Sequence, residues 1–200
     1  MKLNSYQEIL EYYLSRSQEV CSLKSSPIVL KTDLFNEAHS KPRVGGIIKN
    51  LKGCGHIIGI EAQDVVTGLA KQNLGNGDWT LLTGDIRNLP FKDKSFSVIL
   101  DLSTLDHIKP DQVESVLAGY NRVLDDTGAF FLVTWINTLG EAGDENWNAN
   151  NQYYFDQKKL ESSLNKYFST VTKDHIYTDP SSPSKQLFSY LLTVWHGSTS

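Results

Sequence analysis

Three acids in this chain each follow a short apolar run. Glu61 follows HIIGI, Asp85 follows WTLLTG, and Asp101 follows FSVIL. Each run has the length of a buried strand. An ionised carboxylate is an acceptor with two oxygens, so it can take two hydroxyl or amino hydrogen bonds at once. Open α/β sheets bind ligands in the crevice outside the carboxyl ends of their strands, which is where acids so placed would stand. Taken singly, Glu61 or Asp85 reads more simply as a helix N-cap or a solvated strand end. Taken together, at the ends of adjacent strands, they favour a ligand bound at that carboxyl edge.

Such acids need a sheet to hold them, and the chain supplies its elements in alternation. Residues 5–20 place Ile9, Leu10, Tyr13 and Leu14 at helical spacing, which predicts an amphipathic helix covering a sheet edge or the mouth of a cleft. Ser25, Ser26 and Pro27 break it. Strands are expected at 27–34, 56–60, 79–83, 96–100 and 129–135, with helices at 43–51, 65–73 and 110–123 between them. Gly53 and Gly55 end the first of these helices, and Asp64 suits the N-cap of the second. That alternation predicts a doubly wound, mostly parallel sheet with right-handed crossovers and helices on both faces. The end of the chain differs. Residues 137–152 form a long polar stretch around Trp147, the length of a functional loop. A helix is expected at 154–167, then two extended runs at 169–177 and 186–196 that pair antiparallel across DPSSPS.

Composition narrows the partners. The chain has 200 residues, a formal net charge of −4 and a hydrophobic fraction of 40%, as expected for one globular domain. An acidic balance does not draw the surface to nucleic acid or anionic lipid. The N-terminal text MKLNSYQEILEYYL interrupts its apolar residues with polar ones, so neither a signal peptide nor a membrane span is expected. Cys21 and Cys54 make no C-x-x-C pair and read as reduced thiols in a cytoplasmic protein. No cluster of His, Cys and acids has metal-ligand spacing. Oligomeric state is not encoded in any pattern here.

Three stretches resemble one family. GDIRNLPFKDKSFSVIL is similar to the text that class I S-adenosylmethionine-dependent methyltransferases carry across their third and fourth strands; LDHI resembles the step after strand four, and YNRVLDDTGAFFLVTW the helix, turn and fifth strand. The resemblance spans residues 27–135. It implies a Rossmann-like fold with a seven-stranded, mostly parallel sheet and an antiparallel C-terminal strand, within a single domain over 1–200. In that domain 1–26 would be a helical cap, 27–136 the cofactor-binding half and 137–200 the C-terminal half. It implies S-adenosylmethionine as cofactor, lying across the ends of the first four strands, and a small-molecule methyl acceptor. By the same resemblance Glu61 matches the acid that holds the ribose diol and Asp85 the acceptor for the adenine amino group. Ala62 and Ile86 match positions packed on the adenine faces, and Asp101 and Leu102 the residues beneath the methionine part.

The family's first motif is an acid followed by a glycine-rich turn, and here that text is VLKTDLFNEAHS, without glycine. In one register Asp33, Phe35 and Glu37 replace three glycines; in the other Asp33 replaces the acid, and Phe35 and Glu37 replace glycines. Gly45 and Gly46 come too late to serve. Two outcomes follow: the loop swings outward, with Asp33 facing the cofactor's ammonium, or Phe35 fills the pocket. The outward loop is the expectation. His107 suits a general base or a structural role under its loop, with the structural role favoured, so no catalytic residue is assigned. The leading reading is a methyltransferase for a small molecule, working mainly by positioning two reactants. The alternative is a non-catalytic binding or regulatory protein on the same fold. A dehydrogenase is disfavoured because no G-x-G-x-x-G follows the first strand. A nucleic-acid methyltransferase is disfavoured by the acidic charge and by DLSTLDH, which lacks the Asn/Asp-Pro-Pro-Tyr/Phe text of base amino methylation.

Overall fold

The computed structural model describes residues 6–39, 46–138, 152–178, 180–181 and 185–194. Eight strands form one sheet: β1 (Ile28–Lys31), β2 (His56–Glu61), β3 (Trp79–Thr83), β4 (Phe96–Leu102), β5 (Leu124–Asn137), β6 (Phe155–Asp156), β7 (Phe168–Thr178) and β8 (Lys185–Val194). Seven of them lie in the order β3-β2-β1-β4-β5-β8-β7, and the two-residue β6 pairs with β5 beyond that path. β1 pairs parallel with β2, Val29 beside Ile57, and with β4, Val29 beside Val98. β8 runs antiparallel to both β5 and β7. The sheet is therefore mostly parallel with an antiparallel C-terminal strand, as the alternation predicts. The chain order reverses between β1 and β4, and the carboxyl ends of these two strands flank a switch point of the kind where α/β sheets bind ligands.

Period-two alternation sends neighbouring residues of each strand to opposite faces. Leu30, Ile99, Phe130 and Leu132 face one apolar cluster with Val116, Leu117, Tyr120 and Val123 of α4 (Val113–Val123) and Leu160 and Leu164 of α5 (Gln157–Tyr167). Val29, Val98, Leu100 and Phe131 face the other. There they meet Tyr13 and Cys21 of α1 (Tyr6–Ser22), Ala38 of α2 (Phe35–His39) and Ala70 and Leu74 of α3 (Asp64–Leu74). Both faces are covered, which is why the central strands read as unbroken apolar runs.

The helix expected at 43–51 is not formed as such. Residues 43–45 lie outside the described residues, and a 3-10 turn spans Ile48–Asn50. The helix forms earlier, as α2, where Asp33 Oδ1 accepts from Phe35 N at 3.0 Å and starts the turn. The helix expected at 154–167 starts at Gln157, because Phe155 and Asp156 pair with Ile136 and Asn137 of β5. Asp156 then caps the helix, accepting from Lys159 N at 2.9 Å. β5 begins before 129, at Leu124, its register with β4 slips between Phe96 and Val98, and Gly128 lies within the strand. There a Cβ would lie 3.0 Å from Ser97 O. Trp147 and most of the 137–152 stretch lie outside the described residues, as do Trp195 and His196 at the end of the last strand expected.

Candidate functional site at the carboxyl edge

Lys31 organises this edge. Its side chain is fully buried at the end of β1, and its ammonium lies 3.1 Å from Asp33 Oδ2 and 3.1 Å from Glu37 Oε2. Burial alone would push the ammonium's pKa down, but the two carboxylates outweigh it and hold the pKa above the ordinary lysine value. Glu37 Oε1 meanwhile accepts from Ile47 N at 2.8 Å and Ile48 N at 3.1 Å, at the start of the 3-10 turn. Gly46 has φ +59° and packs on this carboxylate, so that an added Cβ would sit 3.1 Å from Glu37 Oε1. The turn after β1 is thus closed by an internal charge network where the resembling family has glycine. Gly46 has a different task, which is to make room for Glu37.

Phe35 does not fill a pocket. Its ring is 61% exposed and stacks on His39, with centroids 4.2 Å apart. Asp33 lies beside Thr104 Oγ1, 3.4 Å from its Oδ2, and that hydroxyl also receives a bond from Thr32 Oγ1 at 3.0 Å.

Glu61, at the end of β2, is half-buried. It accepts from Leu34 N at 3.2 Å and Gln63 N at 3.0 Å, one bond to each oxygen, which leaves lone pairs on both. Gly84 N donates to Glu61 O at 2.9 Å, and this bond sets Asp85 on the adjacent strand end. A Cβ at Gly84 would lie 2.8 Å from Ile60 Cδ1, so glycine there lets the two strand ends lie close. Asp85 caps the 3-10 turn Ile86–Asn88. Its carboxylate is gripped by Arg87, with both oxygens 2.9 Å from Arg87 Nε. That hydrogen-bonded guanidinium lowers the Asp85 pKa. Ala62 is exposed, whereas Ile86 is buried in the core cluster beside Leu89 and Val113.

Asp101 is fully buried and pins its own strand end. Oδ1 accepts from Thr104 N at 2.8 Å and Leu105 N at 3.1 Å, and Oδ2 from Tyr120 OH at 2.8 Å. Burial pushes its pKa up to about 6 despite these three donors. Leu102, next along, is half-buried, and Ser103 has φ +64°. Asp106 lies buried beyond them; Ser103 Oγ donates to it at 2.7 Å and Gln152 Nε2 at 3.2 Å, and burial pushes its pKa up to about 8. His107 is exposed at the end of the 3-10 turn Leu105–His107.

Asp33, Thr104 and Asp101 therefore gather at the switch point, with Glu61 tied to the β1 turn through Leu34 and Asp85 one strand further out. Sequence reading missed Lys31, Thr104, Asp106, Tyr120 and Gln152. A lysine within an apolar run, with acids two and six residues later, was a usable signal for Lys31. Nothing local marks Tyr120 as the partner of Asp101. Among the described residues no group of three or more His, Cys, Asp or Glu side chains could hold a metal ion, and no helix is long and apolar enough to cross a membrane.

A mostly parallel sheet of this strand order, helices on both faces and acids at the strand ends together define the Rossmann-like methyltransferase fold. Residues 43–132 match the model of the methyltransferase domain family. A methyltransferase of uncharacterised activity from Synechocystis sp. PCC 6803 is 31% identical over 77 residues. That alignment covers 38% of this chain and 35% of the relative, so the chain matches about a third of the curated relative's length. Two solved structures share the fold. One is the 1,6-didemethyltoxoflavin N1-methyltransferase of Burkholderia thailandensis with bound 1,6-didemethyltoxoflavin and S-adenosylhomocysteine, with TM-score 0.64 and 15% identity over 91% of this chain and 78% of that one. The other is the 4+2 cyclase SpnF, with TM-score 0.72 and 13% identity over 97% of this chain and 85% of that one.

Proposed function

We propose that this protein is an S-adenosylmethionine-dependent methyltransferase acting on a small-molecule acceptor. One observation carries the reading: Glu61 and Asp85 stand at the ends of adjacent parallel strands, set close by Gly84, on the side of the switch point where Asp33 also ends its strand. The donor set suits the cofactor's chemistry. Glu61 would take the ribose diol on the lone pairs its backbone bonds leave open, and Asp85 the adenine amino group. Asp33 would face the ammonium, with Ala62 and Ile86 flanking the adenine and Asp101 and Leu102 under the methionine part. Phe35 turned to solvent leaves that path clear. When bound, the cofactor supplies an electrophilic methyl group on a sulfonium. The chain's own contribution is orientation of the two reactants and exclusion of water.

The small-molecule acceptor is supported by the acidic net charge of −4 and by the acceptor bound in the Burkholderia enzyme. The charge is also the support for excluding nucleic acid. The assignment of 1–26 as a cap, 27–136 as the cofactor half and 137–200 as the C-terminal half of one domain belongs to this proposal, as does a cytoplasmic setting. Calorimetry with S-adenosylmethionine and S-adenosylhomocysteine tests the reading, and micromolar to millimolar binding is expected. No heat and no thermal shift at millimolar ligand would overturn it.

The second reading is a non-catalytic binding or regulatory protein. It is favoured by Lys31, which in the first register stands where the family has an acid, and by the glycine-free turn closed on Glu37. The cyclase sharing this fold shows that the fold alone does not dictate methyl transfer. Cofactor binding without turnover on any acceptor in a broad panel of amines, phenols and thiols would favour it.

A further inference from the structure

Three aromatic rings gather at the carboxyl end of β5, on the sheet face that carries α1. Phe131 and Val133 belong to that face, and period-two alternation puts Trp135 there with them. Trp135 pairs with Leu187 of β8, and Leu187 pairs in turn with Tyr177 of β7. The Trp135 and Tyr177 rings meet edge to face with centroids 6.0 Å apart, and Tyr154 meets Trp135 in the same way at 5.7 Å. Tyr154 is buried, but Trp135 and Leu187 are half-buried and Tyr177 is exposed, so ring surface is left for a ligand.

This group adjoins the carboxyl-edge site. Leu102, at the end of β4, pairs with Val133, and Leu102 and Leu187 pack against the same apolar cluster. Trp135 stands two residues further along β5 than Val133, a rise of roughly 7 Å. It lies on the β5 side of the switch point, whereas Glu61 and Asp85 follow β2 and β3 on the other side.

Lys185 sets the charge. It is the first residue of β8, opposite Asn137, and its ammonium lies 4.4 Å from the centroid of the Tyr154 ring. Among the described residues no carboxylate pairs with it. The acid of β7, Asp174, accepts from Tyr12 OH at 2.9 Å instead. An aromatic face attracts a cation, so Lys185 already takes the place that a cationic ligand would seek on these rings. Its ammonium has three donors and no acceptor, which suits an anion.

We propose that Trp135, Tyr177 and Lys185 bind a planar aromatic carboxylate, its ring against Trp135 and Tyr177 and its anion on Lys185. That this ligand is the methyl acceptor rests on the methyltransferase reading above; its binding does not.

The test is calorimetry on the full chain with three probes of one shape, naphthoate, naphthamide and naphthylmethylamine, each with and without S-adenosylhomocysteine. Naphthoate should bind in the millimolar range or tighter, naphthamide about tenfold more weakly, and the amine not at all. Lys185→Gln should bring naphthoate within about twofold of naphthamide, and Lys185→Arg should keep the preference. Trp135→Leu should weaken naphthoate and naphthamide alike. An amine that binds as well as naphthoate, equal affinities for naphthoate and naphthamide in the parent, or a preference that survives Lys185→Gln would each overturn the proposal. Binding of S-adenosylhomocysteine without any binding of naphthoate would overturn this inference alone, and binding of naphthoate without S-adenosylhomocysteine would overturn the methyltransferase reading alone. If Trp135→Leu does not fold, the parent and the two Lys185 variants decide.

Discussion

Lys31 is a fully buried cation held between the carboxylates of Asp33 and Glu37. Removing one member of a buried ion network leaves the others uncompensated, at a cost of about 3–5 kcal/mol. Lys31→Met should therefore lower the unfolding midpoint by roughly 10 °C, read by circular dichroism. Asp106 offers a pH signature. Its pKa is raised by burial to about 8, above the unfolded value, and that of Asp101 to about 6. A raised carboxyl contributes most below the unfolded pKa, and that contribution is lost as pH rises through the folded value. Asparagine does not titrate, so Asp106→Asn should gain stability relative to the parent as pH goes from 5 to 9. Parallel thermal melts across that range check the sign, and an asparagine variant that loses stability relative to the parent as pH rises would refute it. Asp85 bears on the ligand. Asp85→Ala should weaken adenosine-containing ligands by about 1–3 kcal/mol in calorimetry if it accepts from the adenine amino group. Arg87 competes for the same carboxylate, so the measured loss should fall at the low end.

The turn from β1 into α2 is the element on which ligand access depends. Glycine would let a ligand approach the backbone there, but this chain closes the turn with Lys31, Asp33 and Glu37 and sends Phe35 outward onto His39. Phe35→Gly should accordingly leave affinity for S-adenosylhomocysteine within about twofold, since no ring is removed from the ligand's path. A marked gain would show that the ring obstructs. Gly46 shows how the element was rebuilt: its positive φ and lack of a side chain admit the Glu37 carboxylate.

Across the whole molecule, protection should follow the layers. β1 and β4 have sheet neighbours on both sides and apolar clusters on both faces. Their amides should exchange slowest, with opening free energies near the global value. Edge strand β3 should exchange faster. Hydrogen-exchange mass spectrometry resolves this order, and equal protection in β3 and β4 would contradict it.

The apolar runs and their alternation with helices were enough to determine the strands β1 to β5, their parallel pairing and the acids at their ends. That is because burial of both sheet faces writes itself into consecutive residues. Other features required the folded chain. β6 was illegible, because two residues pairing with Ile136 and Asn137 leave no periodicity. The helix expected at 43–51 moved because Asp33 caps an earlier turn and Glu37 reaches across to Ile47 and Ile48, contacts set by where β1 ends. Asp101 illustrates the limit at the site: its position near the end of an apolar run is local, but its bonds to Tyr120, Thr104 and Leu105, which make it a buried pin, are not. Pairing of distant side chains is decided by packing, and packing is a property of the folded chain.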